Sequence, residues 1–258
     1  MLIKQGNLSV RNAMPSDAPQ LVAWWNDGAV MAHAGFPNGL NEDTQSVERL
    51  ISSCSDENWR LLIIEVEDKP VGEMNYKNLG DDTAEIGIKI CDASEQNKGY
   101  GTRILRAFIA ALFTELNFQR IVLDTNPNNL RAQRTYEKCG FVKTRVEDRY
   151  WQSPQTGEWA GAVFYELARA DWELKKELSA FLDEQGRLTQ FPAKRAKQLF
   201  ALRYLADKTE PDKSYTEREI NELLRKWHTF GDHVTLRREL VDLCLLARDA
   251  YGKEYKKA

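Results

Sequence analysis

The hydrophobic positions of this chain change rhythm along its length. In roughly the first two thirds, short apolar runs of period two alternate with amphipathic stretches of helical period. Residues 8–11 alternate as a strand, and Asp17 is placed to cap a helix running through Trp25. A turn-rich loop over 35–40 precedes a helix over 43–52. Residues 59–66 read as a buried strand, a turn follows at 68–70, and 71–78 is the next strand. Gly80-Asp81-Asp82 is a tight connection into a strand over 84–90. A long helix over 102–116, a short strand over 120–124 and a helix opened by Asn129 and closed by Gly140 follow. Residues 141–148 and 162–167 then form a hairpin around Pro154-Gln155-Thr156-Gly157. Long antiparallel hairpins flanking a strand–helix–strand unit predict an α+β domain and not a doubly wound sheet.

The last third is mainly helical. A connecting helix over 174–182 ends at Asp183-Glu184-Gln185-Gly186, and 193–206 is amphipathic, with Leu199, Leu202 and Leu205 facing inward. Thr216 and Glu219 form a capping box for a helix reaching His228. Gly231-Asp232 turns the chain into a helix over 234–243, and 245–255 has the form of strand, tight turn, strand. Three helices with a terminal hairpin are the plan of a winged helix.

Charge sharpens this division. The chain has 258 residues and a net charge of −3. Residues 1–174 carry 18 Lys+Arg against 25 Asp+Glu, a net of −7, whereas residues 175–258 carry 18 against 14, a net of +4. The shift places a boundary near residues 171–178, giving domains 1–172 and 173–258. The acidic first domain attracts cations and the second, weakly, anions. With 42% hydrophobic residues the chain can bury one core and a second. The N-terminus lacks the apolar run of a signal peptide and no stretch approaches membrane-spanning length, which predicts a cytoplasmic protein with no membrane partner. Cys54, Cys91, Cys139 and Cys244 are scattered and read as reduced thiols; His228 and His233 read as structural, and no metal site is expected.

Candidate chemistry concentrates in two segments. Gln96-Asn97-Lys98-Gly99-Tyr100-Gly101 lies between a strand and a helix. Glycines there let a ligand approach the backbone, and the free first-turn N–H groups with the positive end of the helix dipole suit a phosphate. The second segment holds Asn129, Ala132, Tyr136, Gly140 and Phe141. A dinucleotide fingerprint would need a third glycine where Ile104 stands. Taken together, Gln96-x-x-Gly99-x-Gly101 and Asn129-x-x-Ala132-x-x-x-Tyr136-x-x-x-Gly140-Phe141 resemble the two motifs of the GNAT (Gcn5-related) N-acetyltransferases, over roughly residues 8–170. The resemblance implies the GNAT fold, a mixed and mostly antiparallel sheet flanked by helices, with acetyl-CoA as co-substrate. It implies cofactor contacts at Ile88, Ile90, Cys91, Gln96, Asn97, Lys98, Gly99, Tyr100, Gly101, Thr102, Asn129 and Ala132. Tyr136 would be the acid that protonates the leaving thiolate, and Glu85 stands where many relatives carry the carboxylate that takes the amine proton. An unperturbed phenol, with a pKa near ~10, keeps its proton at neutral pH. A solvated edge charge is the alternative for Glu85, and a core tyrosine for Tyr136.

The acceptor end is similar to two groups within the family. Asp124 and the residues after it resemble the corresponding segment of the aminoglycoside 6′-N-acetyltransferases, where an aspartate holds the acceptor amine. Trp25, beside Trp24, and Phe36 in the 35–40 loop fit the substrate side of that group and of the ribosomal-protein N-terminal acetyltransferases. At least one of Trp24 and Trp25 reads as core. The sequence from Leu178 onward resembles an uncharacterised domain found after acetyltransferases and helix-turn-helix regulators, with Trp227-His228-Thr229-Phe230-Gly231-Asp232 as its hallmark. The expectation is therefore direct acetyl transfer to a primary amine, on a small cationic molecule or a protein N-terminus, by a monomer or homodimer. The alternative is an acetyl-CoA-sensing regulator whose winged-helix-like domain binds DNA or a protein. Arg237 and Arg238 supply little of a DNA-reading face, so nucleic acid is not favoured.

Overall fold

The first part of the chain forms eight strands: β1 (Leu2–Gln5), β2 (Leu8–Asn12), β3 (Trp59–Val66), β4 (Lys69–Gly80), β5 (Thr83–Ile90), β6 (Arg120–Thr125), β7 (Val142–Gln152) and β8 (Trp159–Ala168). A computed structural model describes residues 1–249, 251 and 253–258 of the chain. It divides into two compact units, Met1–Arg169 and Ala170–Ala258. In the first unit the strands form one sheet in the order β1-β2-β3-β4-β5-β6-β8-β7. Neighbours are antiparallel except β5 and β6, which pair in parallel only at Thr83 with Arg120, Ala84 with Ile121 and Glu85 with Val122. Beyond Glu85 the two strands splay.

Two helical layers cover the sheet. On one face the strands contribute Leu62, Ile64, Met74, Tyr76, Ile86 and Ile121, all buried. Against them lies α4 (Tyr100–Thr114), whose Leu105, Phe108, Ile109 and Leu112 are buried too. The Tyr76 ring is 6.3 Å from Phe108 and 5.9 Å from Phe118. On the other face α1 (Ala18–Trp25), α2 (Gly28–Met31) and α3 (Thr44–Ser53) pack Leu21, Trp24, Trp25, Met31, Val47 and Ile51 against Leu61 and Ile63. Burying each such side chain contributes about 1.5–3 kcal/mol, so these two layers fix where the strand ends lie. α5 (Leu130–Cys139) connects β6 to β7.

Some local expectations are corrected. Asp17 does not cap α1; its carboxylate accepts the Met14 N–H at 2.7 Å and pairs with Arg11 at 2.7 and 2.8 Å, because Arg11 offers a bidentate partner. The turn between β3 and β4 lies at Glu67 and Asp68, not at 68–70, both residues at positive φ, since Val66 pairs directly with Lys69. Period-two and helical patterns did not signal β1, whose Leu2-Ile3-Lys4-Gln5 does not alternate, or α2, which at four residues is too short to carry a helical period.

The second unit has α6 (Arg169–Leu178), α7 (Arg195–Ala206), β9 (Tyr215–Thr216), α8 (Glu217–Trp227), α9 (His233–Asp242), β10 (Leu246–Arg248) and β11 (Glu254–Lys257). Leu202, Leu205, Ile220, Leu224, Leu236 and Leu240 form its core. Leu199, expected inward, is 37% exposed, because the stripe that packs runs through Ala201 and Leu205 and leaves Leu199 at its edge. The capping box forms as its spacing predicts: Thr216 N–H donates to Glu219 Oε2 at 2.7 Å and Glu219 N–H to Thr216 Oγ1 at 3.3 Å. β9, β10 and β11 make a sheet in the order β10-β11-β9. The tight turn expected between β10 and β11 includes residues 250 and 252, which lie outside the described residues.

Candidate active site

A cleft of about 1190 Å³ opens in the first unit where β5 and β6 diverge. One end is the start of α4. Gly99 is the residue before the helix, at φ +79°, a left-handed conformation that favours glycine. No side chain among the described residues caps this helix, so its first-turn N–H groups point to the cleft without a protein acceptor. A Cβ placed on Gly99 or on Gly101 would meet nothing within 4 Å. The open space, the uncapped donors and the helix dipole together form a cradle for an anion. Gln96 ties that cradle to its surroundings: its Nε2 donates to the Ile90 carbonyl at 2.9 Å, and Arg131 Nη1 donates to its Oε1 at 2.8 Å.

α5 forms the adjoining wall. The Asn129 side chain accepts the Ala132 N–H at 3.2 Å and so caps the helix, while Gly140 ends it at φ +105°. This positions Tyr136 on the cleft, packed edge-on to Phe141 and Tyr165 at 6.1 and 5.7 Å. Burial, reinforced by the charge of Asp124, pushes the Tyr136 phenol up to about 12. At neutral pH it is a proton donor and not a phenolate.

Asp124, at the end of β6, faces the cleft. Its carboxylate is open to solvent inside the cleft yet enclosed by the cleft walls, and this burial, with the charge of Glu85, pushes its carboxyl up. Glu85 itself does not line the cleft; it stands at the last position of β5 that pairs with β6 and acts on the site through its field on Asp124.

The remaining sequence candidates divide. Ile88, Ile90, Cys91, Gln96, Asn97, Tyr100, Thr102, Ala132 and Phe36 line the cleft with Gly99, Gly101 and Asn129. Lys98 does not; it pairs with Glu95 at 2.9 Å. Trp25 lies behind the floor, 9% exposed, where its indole N–H donates to Glu73 at 2.8 Å. Burial and the Glu73 charge keep the Cys91 thiol protonated.

Sequence reasoning missed much of the acceptor end. Glu73 and Asn75 on β4 face the cleft, and their alternation with buried Met74 and Tyr76 was the available signal. Of the roof, Phe36 was expected and Trp151 was not. Trp151 lies so close over Gly35 that a Cβ there would sit 2.4 Å from its ring, and it packs edge-on to Phe36 at 5.3 Å. Gln155, in the β7–β8 turn, accepts the Asn38 N–H at 3.2 Å and donates to the Gly39 carbonyl at 2.5 Å, holding the two loops together.

Comparison with known proteins now bears on this geometry. Residues 7–142 match the family described as Acetyltransferase (GNAT) domain, and residues 187–257 match an uncharacterized family conserved in bacteria, DUF2087. The chain is 26% identical over 150 residues to an aminoglycoside N(6′)-acetyltransferase type 1 of Klebsiella pneumoniae, covering 53% of this chain and 75% of that protein. It is 44% identical over 58 residues to a kanamycin resistance protein of Rhizobium radiobacter, a match of 22% of this chain that spans only 54% of that relative's length. Among solved structures, the spermidine N-acetyltransferase of Vibrio cholerae in complex with CoA and spermine superposes with a TM-score of 0.59 at 20% identity, over 66% of this chain and 99% of that one. That likeness concerns the fold.

Proposed function

Because the chain belongs to the GNAT acetyltransferases, we propose that it is an acetyl-CoA-dependent N-acetyltransferase that acts directly on a primary amine of a small cationic molecule. One observation carries this reading: a single cleft joins the glycine-lined anion cradle of α4 to the carboxylate of Asp124, with the Tyr136 phenol between the two walls. The residues fit acetyl-CoA. The cradle has the room and the donors for a pyrophosphate, and the unpaired edge of β5 from Ile86 to Ile90 offers backbone groups to an amide-bearing arm. Bound there, acetyl-CoA supplies an activated acetyl group and a thiol leaving group.

The chain's own residues do the rest. Asp124 holds the acceptor ammonium and Glu85 adds to the field that favours it. The ammonium first gives one proton to the carboxylate side, through water where Glu85 is its destination, which frees the nitrogen lone pair; as the N–C bond then forms and the C–S bond breaks, the nitrogen's second proton leaves through water, which restores the proton that Tyr136 gives up. Tyr136 gives its phenol proton to the departing sulfur. The protonated Cys91 is not positioned by charge to act as a nucleophile, which supports direct transfer. The net charge of −7 over residues 1–174 steers cationic acceptors toward this unit. Incubating the protein with acetyl-CoA and a panel of primary amines, read by coenzyme A release, tests the reading. Release that no amine accelerates would end it.

For residues 170–258 we infer a winged helix. The order α7-β9-α8-α9-β10-β11, with β11 between β10 and β9, supports that topology. Its cations favour a protein contact over a nucleic acid. Arg237 pairs with Glu217 at 2.8 Å, Arg195 with Glu239 at 2.7 Å and Lys257 with Asp207 at 2.8 Å, so these cations would have to leave a carboxylate to reach a phosphate. Titration with random duplex DNA at low and physiological salt should give no binding at the latter; tight, salt-dependent binding would reverse the assignment.

A further inference from the structure

The floor of the cleft is bipolar. The Glu73 carboxylate, with only 9% of its side chain exposed, accepts the Trp25 indole N–H at 2.8 Å on one oxygen and Lys89 Nζ at 3.2 Å on the other. Lys89 Nζ also donates to Met31 Sδ at 2.9 Å. An ammonium has three donors. Two of them have these partners, and Lys89 itself lines the cleft.

Register places this cation relative to the acid. Glu73 pairs with Lys89, Asn75 with Gly87 and Lys77 with Glu85 across β4 and β5, so these side chains share one face. Glu85 pairs in parallel with Val122, and continuing that register two residues sets Asp124 level with Gly87 on the same face. Lys89 is two residues further, about 7 Å along the strand direction. Gly87 has no side chain to fill the gap; a Cβ there would lie 2.8 Å from Asn75 Nδ2. The floor thus runs from a carboxylate, past a neutral amide, to an anchored ammonium.

We propose that Lys89 is a specificity-determining residue that selects acceptors carrying an oxygen acceptor, a hydroxyl or carboxylate, at least about 7 Å from the amine that is acetylated, the divergence of β5 and β6 adding to the distance along the strand. This rests on the acetyltransferase reading above. Asp124 takes the reacting ammonium; the third N–H of Lys89 donates to the oxygen. A second ammonium at that point would face a fixed like charge and lose its hydration without gaining a partner. Simple polyamines are consequently poor acceptors. Glu73 and Trp25 act as positioning residues by fixing the ammonium against rotation.

Three amines with the same five-carbon chain separate the possibilities: cadaverine, aminopentanol and aminopentanoate. For the wild-type protein, kcat/KM should be at least about tenfold higher for aminopentanol or aminopentanoate than for cadaverine, with the difference in acceptor KM. Which of the two oxygen compounds leads distinguishes a hydroxyl from a carboxylate. Lys89→Met keeps the chain length and loses the donor, so the preference should fall to within about threefold, while the acetyl-CoA-induced rise in Tm stays as in wild type. Lys89→Arg should retain it. Should Lys89→Met fail to fold, Lys89→Gln and the wild-type ranking alone still decide. Cadaverine equal or superior in the wild type, or a preference surviving Lys89→Met, overturns the proposal. So does a protein that acetyl-CoA stabilises but that acetylates neither oxygen-bearing amine. If acetyl-CoA itself produces no shift in Tm, the failure lies with the acetyltransferase reading and removes both.

Discussion

Gly99 and Gly101 offer a test in which folding and ligand binding respond differently. Gly99 sits at φ +79° and Gly101 does not, yet a Cβ at either position would have no neighbour within 4 Å. Gly99→Val forces a β-branched residue into the left-handed region, at a cost on the order of 1–2 kcal/mol. For a unit spanning Met1–Arg169 each kcal/mol moves Tm by roughly 2–4 °C, so ligand-free Gly99→Val should melt about 2–8 °C below wild type. Gly101→Val lies in the helix and meets open space; it should melt within about 2 °C of wild type, because valine is no worse than glycine there. Acetyl-CoA at a hundredfold excess over Kd adds about 2.7 kcal/mol, a rise of roughly 5–11 °C for the wild-type unit. Both variants should lose most of that rise, since a Cγ pair fills the space the pyrophosphate needs. Differential scanning fluorimetry with and without acetyl-CoA reads both quantities. A full ligand-induced rise in Gly101→Val would place the phosphates elsewhere, and the anion cradle would have to be abandoned.

Tyr136→Phe keeps the packing against Phe141 and Tyr165 and removes the proton, so turnover should fall roughly ten- to a thousandfold while acetyl-CoA affinity holds; wild-type turnover would assign protonation to water. Asp124→Asn should reduce kcat/KM for a cationic acceptor roughly ten- to a hundredfold, mainly through acceptor KM, and should blunt the weakening of acceptor binding by salt. The same substitution should raise Tm. The folded-state carboxyl is raised above its unfolded value, so ionising it costs stability at neutral pH, and the cost vanishes once both states are protonated below the ordinary carboxylate range. The gain in Tm from Asp124→Asn should therefore be present at pH 7 and fade on acidification; a gain independent of pH would mean that the carboxylate does not feel the cleft.

The motif-borne half of the site was legible because its chemistry is local. Gly99, Gly101, Asn129 and Tyr136 each do their work within one helix turn of a recognisable signal, and all four line the cleft. A strand buried on both faces was legible for the same reason, and β3 spans Trp59–Val66 as its apolar run predicts. What escaped depends on register between distant segments. Nothing near Lys89 says that Glu73 lies across from it, or that Trp25 would donate to that carboxylate instead of meeting a substrate. Glu85 illustrates the limit most clearly: its motif position is suggestive, but whether it reaches the cleft is set by where the β5–β6 ladder stops. Leu199 failed for a different reason, since a stripe three residues wide cannot say which of its edges the neighbouring helices will cover.

The end of that ladder accounts for the location of the whole site. Parallel pairing of β5 with β6 covers three residues, after which Ile86 to Ile90 keep their hydrogen bonds to β4 but have no strand on the other side. Unpaired backbone groups are costly unless water or a ligand satisfies them, so an extended, amide-bearing molecule laid along this edge recovers what the fold leaves open. The same divergence aims the uncapped start of α4 at one end of the gap and sets Asp124 at the other. Side chains from the exposed face of β5 can then reach an acceptor only through the floor, at the period of two that the strand imposes. Gly87 and Lys89 are the two such positions beyond Glu85, one without a side chain and one carrying an anchored charge. If Lys89 selects the acceptor as proposed, chemistry at the cofactor end rests on helix termini and selection on strand side chains, which can change without disturbing the fold that binds acetyl-CoA.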